Sequence, residues 1–160
     1  MSFVIEPVGY IRAPRSQTEE EFWGNAEARI ALGSAFSAEA LQGLSEFTHA
    51  EVLFVFPQVH EAQLTSGARH PRNNSHRPQA GIFVQRGKNR PNRLGSTICR
   101  ILRVETTALV VAELDAIDGS PVLDIKPVRQ EFLPRHSLKQ PRWSHDLMAR
   151  YWLNKQDSEQ

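Results

Sequence analysis

The chain has 160 residues, of which 40% are hydrophobic, and a formal net charge of +1 at pH 7. This length suffices for one ordinary hydrophobic core and is short for two, so we expect one domain at residues 1–136 and an irregular C-terminal segment at 137–160. The sequence has no run of about eighteen consecutive apolar residues and no basic, apolar leader, which argues against a membrane partner and predicts a cytoplasmic protein.

Basic residues are concentrated in one part of the chain. No Asp or Glu occurs between Glu61 and Glu105, whereas nine of the nineteen Lys and Arg residues lie there. Such segregation creates a local positive field that attracts phosphates, although the whole chain is nearly neutral. A nucleic acid is therefore one candidate partner, and a solvated loop whose arginines remain in water is the alternative.

The first part of the chain predicts three strands and one short helix. β-branched and aromatic residues at 3–13 favour a first strand, and residues 28–32 favour a short second one. Ser37 precedes good helix formers and predicts a helix that ends near Gly43. The nearly continuous apolar centre of residues 48–59 favours a buried central strand.

The second part predicts a long loop, further strands and an irregular end. Residues 60–79 are rich in Asn, Ser, Pro and Gly, and long loops in compact domains are usually functional or disordered. An Asp118–Gly119 turn should precede the last strand. The remaining elements are strands at 81–86, 94–105, 107–114 and 122–126, a short helix between Ser144 and Leu153, and a disordered end at 154–160. Many short strands without alternating helices favour an all-β barrel or a sandwich-like core.

Several common catalytic and metal-binding motifs are absent. The sequence has no GxxxxGK[ST] phosphate loop, no GxGxxG dinucleotide fingerprint and no GxSxG elbow. Its single cysteine, Cys99, has no second thiol with which to form a disulfide or a zinc site. None of the six histidines forms an HxH or HExxH pair, so we predict no metal site.

Two segments carry most of the remaining polar chemistry. The first, RGKNRPNRLGST at 86–97, gathers four cations, two asparagines and two glycines without an acid. Arginine offers a planar fork that suits phosphate or carboxylate groups, and glycine permits close approach of a ligand. The second, LDAIDGSPVLDIKP at 114–127, places three aspartates beside Lys126. Its alternative interpretation is a hairpin with an Asp-Gly turn and a surface ion pair.

These two segments, with FTHAEVLFVFPQ ahead of them, resemble the TsaA-like (TrmO) family over about residues 3–130. The family pattern has a strand that ends in Arg, an RPNPIG loop and a later LDxxDGTPVxDIKPY segment. The resemblance implies a small closed or nearly closed β-barrel without a Rossmann fold, with one or two short helices. It further implies a homodimer that binds S-adenosylmethionine and methylates N6 of threonylcarbamoyladenosine beside a tRNA anticodon.

The resemblance also implies site residues. Asp115 and Asp118 are the candidates for a catalytic carboxylate, although both could instead bind ribose hydroxyls or close the turn. The residues implied in cofactor binding are Pro57, Gln58, Arg86, Ser96, Asp115, Ala116, Ile117 and Asp118. The residues implied in RNA binding are Lys88, Arg90, Asn92, Arg93 and Lys126, of which Lys126 could instead pair with Asp124.

The chain departs from the family pattern in several places. Family members hold the cofactor with a Pro-Arg-Gln stretch soon after the first strand, and here Trp23, Gly24 or Asn25 would have to replace it. The loop reads RPNRLG, so that Arg93 replaces a proline, and the last motif ends in DIKPV. Two alternatives therefore stand beside a tRNA methyltransferase: a non-catalytic nucleic-acid-binding or regulatory module, and a methyltransferase with another substrate.

Overall fold

Six antiparallel strands close into a barrel in the computed structural model, which describes residues 1–158. The barrel order is β1-β2-β7-β6-β3-β8, and β4 and β5 form a separate two-stranded ribbon. The strands are β1 Gly9–Arg12, β2 Glu27–Leu32, β3 His49–Val55, β4 Ala68–Arg69, β5 Ala80–Gly81, β6 Leu94–Val104, β7 Ala108–Ala112 and β8 Pro121–Pro127. The prediction of a small, mainly β barrel without a Rossmann fold is confirmed.

Helical structure is short and lies outside the barrel wall. The single α-helix among the described residues is α1, Arg142–Met148. The 3-10 turns are Ala38–Leu41, Leu44–Glu46, Glu61–Gln63, Pro71–Asn73, Ile82–Val84, Gln130–Phe132 and Lys155–Ser158. Within residues 1–158, no helix has the length and apolar character needed to cross a membrane.

The barrel interior follows from alternation along the strands. In β3 the inward residues Ala50, Val52 and Phe54 are almost completely buried, and the residues between them are partly exposed. Opposite Phe54, β6 has Gly95, where an added Cβ would lie only 2.4 Å from Phe54 Cζ. The absence of a side chain at this glycine therefore makes room for the ring in the core.

Three sequence-based expectations need correction. The first strand begins only at Gly9, because residues 3–7 have no strand partner. The helix after Ser37 is a 3-10 turn, although the serine does cap it, with Oγ 3.3 Å from the Glu39 amide. The strand expected at 81–86 is absent beyond Gly81, because the backbone turns so that Ile82 is buried while Phe83 is 81% exposed.

The C-terminal segment folds back onto the barrel. The helix predicted between Ser144 and Leu153 is confirmed as α1, which begins two residues earlier and ends at Met148. Beyond it the chain runs along the loop that connects β1 to β2. Of the end predicted to be disordered, the described part includes the 3-10 turn Lys155–Ser158, and Glu159 and Gln160 lie outside the described residues.

Candidate functional site

The antiparallel order of the barrel brings the sequence motifs to one end. Strands β1, β3 and β7 finish there, and β2, β6 and β8 start there. The loops that meet at this end, which we call the site rim, are residues 13–26, 56–93 and 113–120. The site rim therefore contains the LDAID segment, residues 114–118, and most of the RGKNRPNRLGST segment at 86–97, which we call the basic loop. Lys126 lies towards the other end, where it pairs in register with Glu51.

Asp115 is the centre of a hydrogen-bonded cluster at the site rim. Thr97, which points into the barrel from β6 and is 7% exposed, donates its hydroxyl to Oδ1 of Asp115. Tyr151 from the C-terminal segment donates its hydroxyl to Oδ2. Burial raises the pKa of Tyr151 far above its usual range, and the negative charge of Asp115 adds to the rise. The positive charges of Arg72 and Arg86 oppose that rise.

Asp118 has different neighbours although it lies only three positions further on. Its Oδ1 accepts a hydrogen bond of 3.1 Å from the Ala13 amide, and its own amide donates to the Arg15 carbonyl at 2.7 Å. Gly119 follows with a φ of 77°, a left-handed conformation that glycine adopts without strain. These contacts tie the turn to the end of β1 and favour the interpretation that Asp118 closes the turn.

The other candidates for cofactor contacts lie around the same rim. Gln58 donates from Nε2 to the Ser16 carbonyl at 2.8 Å, which joins the end of β3 to the loop after β1. Arg86 donates to the Ser96 carbonyl, and the Ser96 hydroxyl donates to Glu51 at 2.7 Å. Pro57 is exposed beside Gln58, whereas Ile117 is 4% exposed.

A cavity of about 360 Å³ is lined by Leu114 and Ala116, the residues before and after Asp115, but not by Asp115 itself. Ala116 lines it on one side, and Trp23, Gly24 and Asn25 line it on another. These three are the residues expected in place of the Pro-Arg-Gln stretch. Trp23 is 2% exposed, and the Arg15 guanidinium stacks 4.3 Å from its ring. The volume lies within the usual range for small-molecule sites.

Three of the five residues implied in RNA binding already have hydrogen-bond or ion-pair partners within the chain. Arg90 donates from Nη1 to the Gln85 carbonyl at 2.7 Å, and Arg93 donates to the Val59 carbonyl at 3.0 Å. These bonds fix the loop but leave both positive charges in place. Lys88 and Asn92 are exposed. Lys126 forms an ion pair with Asp124, whose hydrogen bond raises the pKa of the lysine.

Residues 12–132 match a family described as the tRNA-methyltransferase O N-terminal domain. The chain belongs to this family. Residues Trp23, Asp115 and the whole basic loop fall within the matched range, whereas Tyr151 lies beyond it.

Several proteins similar to this chain are named as tRNA methyltransferases or as S-adenosyl-L-methionine-binding proteins. A "tRNA (adenine(37)-N6)-methyltransferase" of Mus musculus is 36% identical over 110 residues, which are 69% of this chain and 25% of the relative. The Escherichia coli K12 protein of the same name is 32% identical over 136 residues, which cover 79% of this chain and 57% of the relative. An "S-adenosyl-L-methionine-binding protein" of Archaeoglobus fulgidus is 31% identical over 132 residues, covering 80% of this chain and 91% of the relative.

Solved structures of the family have the same fold. The crystal structure of TrmO from Pseudomonas aeruginosa has a TM-score of 0.72 and 26% identity, and it covers 89% of this chain and 62% of that chain. The chain thus spans a quarter of the mouse relative and somewhat more than half of the bacterial ones.

The family motifs did not identify two residues of the site, Thr97 and Tyr151. Thr97 carries a weak signal, because it is a polar residue on the apolar, inward face of β6. Tyr151 carries none, because it lies 36 positions from Asp115 and outside every motif. Among the described residues, no group of three or more His, Cys, Asp or Glu side chains is placed to hold a metal ion.

Proposed function

We propose that this family member is an S-adenosylmethionine-dependent methyltransferase acting on N6 of an adenine, threonylcarbamoyladenosine, beside the anticodon of tRNA. The observation that carries the proposal is the arrangement of the site rim. One half-buried carboxylate, one cavity and one basic loop lie there, and the carboxylate and the loop come from motifs shared with the family. The names of the relatives support the same reaction.

The residues at the rim fit a cationic, nucleoside-containing donor. Asp115 is half-buried, and among residues 1–158 it takes part in no ion pair. Its negative charge would attract the positive charge of a bound sulfonium. Trp23 and Ala116 give the neighbouring cavity apolar walls. We therefore assign Asp115, Trp23, Gly24, Asn25 and Ala116 to the donor site.

The protein contributes position more than acid–base chemistry. When bound, S-adenosylmethionine supplies an electrophilic methyl group on sulfur. The attacking nitrogen must lie about 3 Å from that methyl group and in line with it, and such positioning alone contributes several kcal/mol. Both carboxylate oxygens of Asp115 already accept hydroxyl hydrogen bonds, so we assign this residue to donor binding rather than to proton removal.

The basic loop supports an RNA substrate. Arg90 and Arg93 are held by main-chain carbonyls, so their charges are presented without further ordering of the side chains. Lys88 and Asn92 extend the same surface. We assign these four residues to phosphate contacts. Lys126 is a less direct candidate, because it lies towards the other end of the barrel and pairs with Asp124.

We also propose that the protein acts as a homodimer, in the cytoplasm, where its tRNA substrate is found. The outer face of β6 presents Leu94, Ile98 and Leu102, which are 38%, 48% and 38% exposed. They alternate with Ser96 and Arg100 on that face, and such a group of exposed apolar side chains favours a protein–protein contact. We expect light scattering to give a dimer mass, and Ile98→Asp to give a monomer.

Calorimetry with S-adenosylmethionine tests the donor site. We expect saturable heat of binding for the wild type and at least tenfold weaker binding for Asp115→Asn, which keeps the shape but removes the charge. Absence of heat and of a thermal shift at millimolar donor would contradict the proposal. Salt-sensitive tRNA binding without donor binding would favour a non-catalytic module instead.

A further inference from the structure

Residues 142–156 of the C-terminal segment supply a part of the site that the family match does not contain. That match ends at residue 132, and Tyr151 reaches Asp115 from beyond it. The segment also provides Asn154, Lys155 and Gln156 to the wall of the cavity that Ala116 and Trp23 line. It therefore contacts both parts of the proposed donor site.

The segment is held against the loop after β1 by main-chain hydrogen bonds. The Trp23 amide donates to the Tyr151 carbonyl at 2.7 Å, and the Phe22 amide donates to the Arg150 carbonyl at 3.2 Å. At Gly24 an added Cβ would lie 2.0 Å from the Trp152 carbonyl oxygen. Only glycine permits so close an approach of two backbones, so loop and segment are matched to each other.

Side-chain contacts reinforce this register. The Arg150 guanidinium lies 4.7 Å from the Phe22 ring centroid and 3.4 Å from a Glu21 carboxylate oxygen. The same Glu21 carboxylate pairs with Arg72 at 3.1 Å. The segment is thus linked through Glu21 to the basic part of the site rim.

The segment adds little to the hydrophobic core. Its large apolar side chains Met148, Trp152 and Leu153 are 36%, 45% and 46% exposed. Burial of apolar area is the main stabilising contribution of a docked segment, and here it is incomplete. The contact between Tyr151 and Asp115 is therefore better explained by a role at the site than by a role in the core.

The hydrogen bonds that Asp115 accepts define the role of Tyr151. A carboxylate offers about four lone-pair positions. Thr97 from β6 occupies one on Oδ1, and Tyr151 from the C-terminal segment occupies one on Oδ2. About two positions remain, which matches the two donors of a ribose cis-diol. Because both oxygens are held, the remaining lone pairs point in fixed directions.

We propose that the C-terminal segment is a wall of the donor site and that Tyr151 is a positioning residue, which orients Asp115 to accept hydrogen bonds from the ribose hydroxyls of the nucleoside donor. This inference rests on the proposed function. It assigns the segment to ligand binding rather than to the hydrophobic core.

Calorimetry on the full chain tests the role of the hydroxyl. Tyr151→Phe keeps the ring and removes the hydrogen bond to a charged group, so we expect S-adenosylmethionine binding to weaken about tenfold. Tyr10→Phe, at a tyrosine that is 44% exposed on β1, is the matched control and should bind like the wild type. In an Asp115→Asn background, Tyr151→Phe should cause little further loss, because its partner is already altered.

The possible results separate the inference from the proposed function. Unchanged affinity in Tyr151→Phe would overturn the positioning role, and higher affinity would mean that the segment obstructs the site. Failure of the wild type to bind the donor would instead overturn the proposed function. A fall in the thermal midpoint without a change in affinity would assign Tyr151 to stability alone and would also overturn the inference.

A second readout needs no donor. The chain has only two tyrosines, so Tyr10→Phe leaves Tyr151 as the sole source of tyrosinate absorbance. We expect it to remain protonated well above the ordinary tyrosine value of about 10, because it is buried beside Asp115. Asp115→Asn should lower this pKa, with circular dichroism confirming that the barrel is folded. Ordinary titration in the folded protein would show that the contact does not form in solution and would overturn the inference.

Discussion

Asp115 and Asp118 belong to one motif, but their surroundings give them different tasks. Asp115 is half-buried and accepts hydrogen bonds from two hydroxyl groups, whereas Asp118 is exposed and accepts one from the Ala13 amide. Sequence reasoning identified both as candidates and could not separate them. The pairing of β1 with β8 brings the end of β1 next to the Asp118–Gly119 turn, so the Ala13 amide reaches Asp118. A contact between residues so far apart in the sequence could not be predicted from the motif.

Substitution of the two carboxylates should separate these tasks. Asp118→Ala removes the acceptor for the Ala13 amide, so we expect a loss of about 1 kcal/mol in the free energy of unfolding. Asp118→Asn retains an acceptor oxygen and should lose less, with donor affinity within twofold of wild type. Chemical denaturation and calorimetry measure the two quantities. A tenfold loss of donor affinity in Asp118→Asn would return Asp118 to the donor site.

At the scale of the element, apolar and β-branched composition was the more reliable signal. It located β3 as a nearly continuous apolar run, and in the structure the buried residues of β3 alternate with partly exposed ones around a closed core. It failed at 81–86, where an apolar run suggested a strand. There Gln85 Nε2 bonds the carbonyls of Arg69 and Ala80, so side-chain hydrogen bonds replace further strand pairing.

The close packing of β6 against β3 gives a prediction for the core. Gly95→Ala would place a methyl group 2.4 Å from the Phe54 ring, which is itself 1% exposed. Because the ring has little room to move, we expect a loss of about 1–3 kcal/mol in stability by chemical denaturation. Gly67→Ala has no atom within 4 Å of the added methyl group and serves as the control. Equal stability of the two variants would contradict this description of the core.

At the scale of the whole molecule, the basic and acidic parts of the sequence are only partly separated in space. The barrel brings the basic loop to the site rim, as the motif order led us to expect. Arg72, however, pairs with Glu20 and Glu21 from the loop after β1. The sequence alone could not assign these partners, because they are about fifty positions away.

The remaining charges predict how tRNA binding depends on salt. Lys88→Ala should lower the slope of log affinity against log salt by about 1 if Lys88 contacts one phosphate, and should leave the thermal midpoint unchanged. Arg93→Ala should lower both, because it also removes the hydrogen bond to the Val59 carbonyl. Filter binding over a range of salt measures the slopes. An unchanged slope for both variants would place the RNA elsewhere.

Transfer of the methyl group to RNA tests the central claim most directly. The protein is incubated with isotopically labelled S-adenosylmethionine and total tRNA, and the tRNA is digested to nucleosides for mass spectrometry. We predict label at N6 of threonylcarbamoyladenosine, lost in Asp115→Asn and retained in Tyr10→Phe. Salt-dependent tRNA binding with no label in any nucleoside would contradict the account.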